Sequence, residues 1–159
     1  IVNQSYAHLL ILYYRLHILN QEVKLKNLPV LITFYNRPHT LNQLMQKLSK
    51  MNNLELFFAS DGSRSDIDQH KIQACWEIIE KYFPKIPSNR KLIHSKNLGC
   101  KLAMKNNLDW FFDNRDYGVV LEDDCIPSEN FIIEIRKLLL DLNQSRNIFL
   151  SVSIYLWSG

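Results

Sequence analysis

Tyr117-Gly118-Val119-Val120-Leu121-Glu122-Asp123-Asp124-Cys125-Ile126-Pro127 is the stretch on which the reading of this chain turns. It opens as an apolar run of the kind found in strands covered on both faces, then breaks into three consecutive acids. Two unit charges about 4 Å apart at an effective dielectric near 20 repel by roughly 4 kcal/mol. Acids gathered at a strand end in a poorly solvated cleft therefore need protonation, separation or a cation, and at neutral pH a divalent metal meets that need. Strand alternation would put Glu122 and Asp124 on one side and Asp123 on the other. That would divide the labour, with one acid on a metal and another on a hydroxyl. The competing reading is a solvated acidic turn, since acid triplets are common on surfaces.

Working outward, the acidic strand is one of several that alternate with helical patterns. Pro29 to Tyr35 is β-branched and aromatic and reads as a buried first strand. Asn36 is placed to cap the helix that follows, with Pro38 in its first turn and Leu41, Leu44, Met45, Leu48 and Met51 at helical spacing. Leu54 to Ala59 is a second strand, closing on the turn sequence Ser60-Asp61-Gly62-Ser63. Ser65 caps a helix with the stripe Ile72, Cys75, Trp76, Ile79, Tyr82 and Phe83, which Pro84 and Pro87 stop. Lys91 to His94 is a short strand, and Lys101 to Phe112 a helix with Leu102, Leu108 and Phe112 inward. After the acids, Ser128 caps a helix with the stripe Phe131, Ile132, Ile135, Leu138, Leu139 and Leu142, and Ile148 to Tyr155 is a last strand. The alternation predicts an α/β fold with a mostly parallel sheet and flanking helices. In such sheets ligands bind beyond the carboxyl ends of the strands. There Thr33, Tyr35 and Asn36, then Asp61, then Glu122, Asp123 and Asp124 converge, which favours the metal-site reading.

The 159 residues suit one domain with a core, and 47% apolar content is that of a globular protein. A net charge of +3 with scattered lysines gives no basis for a nucleic-acid partner. Cys75, Cys100 and Cys125 lack CxxC spacing and read as reduced, buried residues of a cytoplasmic protein. The chain starts at Ile1 rather than Met, as a fragment would. Ala7 to Leu19 is too short and too interrupted for a membrane span and is expected to be a helix packing on the domain. The division expected is a helical segment over residues 1–28 and an α/β domain over residues 29–159.

The motifs taken together resemble the nucleotide-sugar glycosyltransferases of GT-A fold. Thr33-Phe34-Tyr35-Asn36 ends a first strand and Ser60-Asp61-Gly62-Ser63 a second. Asn97-Leu98-Gly99-Cys100 precedes Trp110-Phe111-Phe112, and Leu121 to Pro127 carries the acids. This order is similar to a bacterial family-2-like subgroup, and Glu-Asp-Asp resembles the acidic motif of N-acetylglucosaminyltransferase I. The resemblance covers Pro29 to Ser153. It implies a Rossmann-like donor half that stops before the acceptor-binding half. It also implies Mn²⁺ or Mg²⁺ as cofactor and a uridine diphosphate sugar as donor. A glycan or lipid-linked acceptor is implied as well, which allows peripheral membrane association. Thr33, Tyr35 and Asn36 would line the nucleoside pocket, and Asp61 would accept the uracil N–H. Asp123 would approach the ribose or donor sugar, Asp124 would ligate the metal, and Glu122 and Lys101 would support the donor. The general base of an inverting transfer is expected outside this chain, Asp141 being a poor candidate.

The residues leave other readings open. Tyr35 can be a core aromatic, and Asp61 a turn aspartate bonding its own backbone. Trp110, Phe111 and Phe112 read as core, and His94 as structural. A metal-dependent nucleotidyltransferase shares the architecture but would carry a Gly-rich phosphate loop where Asn36-Arg37-Pro38-His39 stands. A catalytically inactive nucleotide-sugar-binding remnant is the third reading.

Overall fold

In the computed structural model, residues 9–14, 27–144 and 152–155 are described. Four parallel strands carry the site: β2 (Leu28–Phe34), β3 (Leu54–Ser60), β4 (Lys91–Ile93) and β5 (Tyr117–Glu122). Two further strands, β1 (Leu9–Tyr14) and β6 (Val152–Tyr155), extend the sheet beyond β5, β1 running antiparallel to both neighbours. The order is β4-β3-β2-β5-β1-β6. From β2 the chain winds outward through β3 to β4, then returns to place β5 on the other side of β2. The crevice between β2 and β5 is therefore the topological switch point, where ligands of open α/β sheets bind.

Side-chain alternation sorts the core into two layers. Val30, Ile32 and Phe34 of β2, with Leu56, Phe58, Val119 and Leu121, face one side. There they meet α1 (Pro38–Leu48), α2 (Asp66–Tyr82) and α4 (Glu129–Gln144). Leu31, Phe57, Ala59 and Val120 face the other side and meet α3 (Cys100–Asn114) through Phe111. Phe57 touches Phe111 and Trp110 edge-on at 5.1 and 5.9 Å, so Phe111 is core, with Trp110 and Phe112 packed half-buried against it. Gly118 is required here, because a Cβ would sit 2.5 Å from the Phe111 ring. Ser65 and Ser128 cap α2 and α4 as expected, accepting from the backbone N–H of Asp68 at 3.2 Å and of Phe131 at 3.0 Å.

Several expectations are corrected. Leu9–Tyr14, read as part of an N-terminal helix, is a strand; a continuous apolar run has no periodicity to separate strand from helix, and a place beside β5 decides it. The rest of residues 1–28, apart from 27 and 28, lies outside the described residues. Asn36 does not cap α1: Arg37 holds that position without a side-chain bond, and Asn36 turns to Asp68. On α3 the buried line is Ala103, Asn107 and Phe111. Leu102 is exposed, and Leu108 and Phe112 are half-buried at the margin of that layer. Cys100 is exposed, while Cys75 and Cys125 are buried. Of the expected stripe of α4, Phe131, Ile132, Ile135 and Leu139 are buried, and the Leu142 side chain lies outside the described residues, as do residues 148–151 of the last strand. Among the described residues no helix is long and apolar enough to cross a membrane.

Candidate active site

The parallel strands end together around a cleft of about 280 Å³, whose lining includes Thr33, Tyr35, Asn36, Arg37, Asp61, Arg64, Asn97, Gly99, Glu122 and Asp123. Register explains the convergence: Thr33 of β2 lies beside Glu122 of β5, and Phe34 beside Ser60 of β3. Thr33 is buried, its hydroxyl 3.5 Å from the Leu121 carbonyl. Six of the eight residues expected from sequence line this cleft: Thr33, Tyr35, Asn36, Asp61, Glu122 and Asp123. Asp124, next to Asp123, and Lys101, exposed on the first turn of α3, are outside the lining.

The acids do not follow strand alternation. The strand stops at Glu122, and a turn closed by the Cys125 N–H on the Glu122 carbonyl, at 3.0 Å, carries Asp123 and Asp124 to one guanidinium. Arg37 Nη2 lies 2.6 Å from Asp123 Oδ1, and Arg37 Nη1 donates to Asp124 Oδ2 at 2.5 Å. Asp123 is 1% exposed, and Asp124, at 13%, sits beside it. Burial pushes the Asp123 carboxyl up to about 6, against the pull of Arg37 and with the push of Asp124. Burial works against the Arg37 charge, but the two carboxylates outweigh it and hold its pKa above the ordinary value. Asp123 and Asp124 thus meet one guanidinium instead of lying on opposite strand faces.

Asp61 is held quite differently. Its Oδ1 accepts the backbone N–H groups of Gly62 at 2.8 Å and Leu98 at 2.9 Å. Its Oδ2 accepts the Gly99 N–H and the Asn97 side-chain amide, both at 3.0 Å. A carboxylate has about four acceptor positions, so all are in use. The Asn97 amide also donates to the Gly62 carbonyl at 2.9 Å, and a Cβ on Gly62 would lie 2.3 Å from the Lys96 carbonyl carbon. Asp61, Gly62 and the loop before α3 form one tight junction. Gly99 starts α3 at φ 76°, a left-handed value that favours glycine.

A third cluster escaped the sequence reading. Asp68, buried on α2, accepts from the Tyr35 hydroxyl at 2.7 Å and the Asn36 amide at 2.5 Å. Those two bonds hold its carboxyl well below the usual range, at about 2. Arg64 donates to the Tyr35 hydroxyl at 3.1 Å and stacks 5.1 Å over its ring. The Tyr35 hydroxyl is pushed above its ordinary pKa, by burial first and the Asp68 bond second. Arg37 and Arg64 of the cleft lining, and Asp68 behind it, were not singled out from the sequence. The basic side chain directly after Asn36 and the one after the Asp61 turn were the available signals. His94 bonds the buried Asn107 at 2.8 Å and is structural.

The model of the family described as Glycosyl transferase family 2 matches residues 30–155. The chain belongs to that family. The match spans β2 through β6 and takes in every residue of the cleft. No curated protein matches the chain. Membership makes this a glycosyltransferase domain, and the α/β architecture with four parallel strands is that expected of the GT-A fold.

A divalent metal is implied by the fold resemblance. Among the described residues no group of three or more His, Cys, Asp or Glu side chains is placed to enclose one. The family 2 cleft instead offers two adjacent carboxylates, and Asp123 Oδ1 is buried without a hydrogen bond although Arg37 lies close. Hard oxygen donors in that number fit a cation whose remaining positions are filled by substrate phosphates and water.

Proposed function

We propose that residues 29–159, to whose sheet β1 also belongs, form the nucleotide-sugar-binding domain of a metal-dependent family 2 enzyme. It would transfer a hexosyl or N-acetylhexosaminyl group from a uridine diphosphate sugar to a glycan or lipid-linked acceptor. The single observation that carries the reading is the pair of adjacent carboxylates at the β2–β5 switch point, Asp123 buried and Asp124 beside it, at a cleft also lined by Tyr35, Asn36, Arg37 and Arg64. Asp124, with Asp123 beside it, would hold Mn²⁺ or Mg²⁺, which when bound supplies neutralising charge to the departing diphosphate. Thr33, Tyr35 and Asn36 would bind and orient the nucleoside, with Tyr35 fixed from behind by Asp68 and covered by Arg64. Asp123 would meet a ribose or sugar hydroxyl, and Glu122 would support it. Asp61 acts on the donor through the Asn97–Gly99 loop, because a uracil N–H would have to displace one of its four donors. Lys101, outside the lining, would meet only a donor that extends past Cys100. The Glu-Asp-Asp likeness to N-acetylglucosaminyltransferase I and the bacterial, cytoplasmic, polysaccharide-building setting, with peripheral contact to a membrane, belong to the same proposal.

Calorimetric titration of uridine diphosphate with and without Mn²⁺ tests it. Mn²⁺ is expected to tighten nucleotide binding on the wild type, and Asp124→Ala to remove most of that coupling. A wild-type affinity indifferent to Mn²⁺ overturns the metal-dependent reading, and an enhancement that survives in Asp124→Ala overturns the ligand assignment. Metal-dependent hydrolysis of a uridine diphosphate sugar separates a working donor site from a binding remnant.

A further inference from the structure

We propose that Arg37 is the internal counter-cation of the Asp123–Asp124 pair, displaced when a divalent metal enters the cleft and then turned to the donor diphosphate. The proposal rests on the donor-and-metal reading above and adds a residue and a sequence of events to it.

Three observations lead there. Arg37 spreads its guanidinium across both acids: Nη2 2.6 Å from Asp123 Oδ1, Nε 3.3 Å from Asp123 Oδ2, and Nη1 2.5 Å from Asp124 Oδ2. It therefore occupies the position between the carboxylates that a cation would take. Next, the arrangement is held at one end only. The Arg37 backbone is fixed at the start of α1, its carbonyl accepting from the Leu41 N–H at 3.1 Å and the Thr40 hydroxyl at 3.0 Å. Its side chain, however, is 48% exposed, against 1% for Asp123. A long side chain on a fixed pivot with a half-exposed head can swing without unfolding anything around it. Finally, a guanidinium carries a single positive charge, whereas a divalent cation carries two and would neutralise both acids. The guanidinium it releases would then lie in a cleft also lined by Arg64, positioned for the oxygens of a diphosphate.

Two consequences of opposite sign follow. Without nucleotide, Arg37 competes with the metal, so removing its charge should tighten binding of Mn²⁺ alone. With nucleotide, the released Arg37 serves the diphosphate, so removing it should weaken the coupling between Mn²⁺ and uridine diphosphate. A residue that merely braces the fold would lower both.

The test is Mn²⁺ titration followed by electron paramagnetic resonance, on the wild-type 159-residue chain and on Arg37→Ala, Arg37→Gln and Arg37→Lys, with and without uridine diphosphate. Thermal melts followed by circular dichroism verify folding. We expect the two neutral variants to bind Mn²⁺ alone about ten- to a hundredfold more tightly than wild type, the factor corresponding to loss of a charge-assisted contact. Their Mn²⁺ enhancement of nucleotide binding should fall by about tenfold or more, while Arg37→Lys, which keeps the charge, should stay near wild type without nucleotide. Mn²⁺ affinity that is unchanged, weaker or undetectable in the neutral variants, or coupling that is undiminished, overturns the proposal. The donor-and-metal reading is judged separately on the wild type, by whether Mn²⁺ tightens uridine diphosphate.

Discussion

The two acidic corners of the cleft use the same residue type at the same kind of place, a strand's carboxyl end, and reach opposite states. Asp61, after β3, spends every acceptor position on the Asn97–Gly99 loop and its own neighbour. Asp123 and Asp124, after β5, share one half-exposed arginine, and Asp123 Oδ1 is buried without a hydrogen bond. A carboxylate saturated by backbone donors is part of the scaffold, since releasing it would strand several buried N–H groups. An acid pair bridged by a half-exposed guanidinium is placed to exchange it. The number and mobility of the partners, not the acid itself, separate structure from binding.

The sharpest way to break this comparison is Asp61→Ala. It leaves three backbone N–H groups and an amide without their acceptor and is expected to cost about 3 kcal/mol in urea denaturation, the range for lost bonds to a buried charge. A variant as stable as wild type that loses uridine diphosphate affinity would make Asp61 a base acceptor and dissolve the distinction.

A smaller effect is expected at Asp68, which accepts from the neutral Tyr35 and Asn36 side chains and lies 3.5 Å from the Arg64 guanidinium. Its carboxyl titrates at about 2 when folded, against 3.8 ordinarily. The unfolded chain takes up that proton first as pH falls, so the stabilisation is complete above 3.8 and is lost toward 2. The stability difference between wild type and Asp68→Asn should therefore be constant near neutrality and shrink across that window. Denaturant titrations at several pH values give the answer, and a difference that grows on acidification refutes it.

The smallest effect belongs to Asp124→Asn, which should stay within about 1 kcal/mol of wild-type stability, because its partner arginine is half-exposed. A loss as large as that of Asp61→Ala would show that the acid pair is scaffold after all.

The alternation of apolar runs and helical stripes was legible throughout the chain, and β2, β3, β5, α1, α2 and α4 stand close to where periodicity put them. That is because each pattern is local: a strand buried on both faces and a helix buried on one leave different spacings in the sequence. Misreadings arose where no local pattern decides. Leu9–Tyr14 has no periodicity, and its strand identity comes from lying between β5 and β6. On α3 the buried face includes Asn107, tolerated because His94 bonds it.

The sequence by itself determined the α/β class and the gathering of Thr33, Tyr35, Asn36, Asp61 and the three acids at one edge, because parallel strands end on the same side. It did not determine which acid holds what. That depended on contacts between residues far apart in the chain: Arg37 with Asp123 and Asp124, Asp68 with Tyr35 and Asn36, Asp61 with the loop at Asn97. Such pairings leave no periodic trace, since a hydrogen bond or ion pair needs only proximity and donor geometry. Only the packing of α1, α2 and α3 around the strand ends creates that proximity.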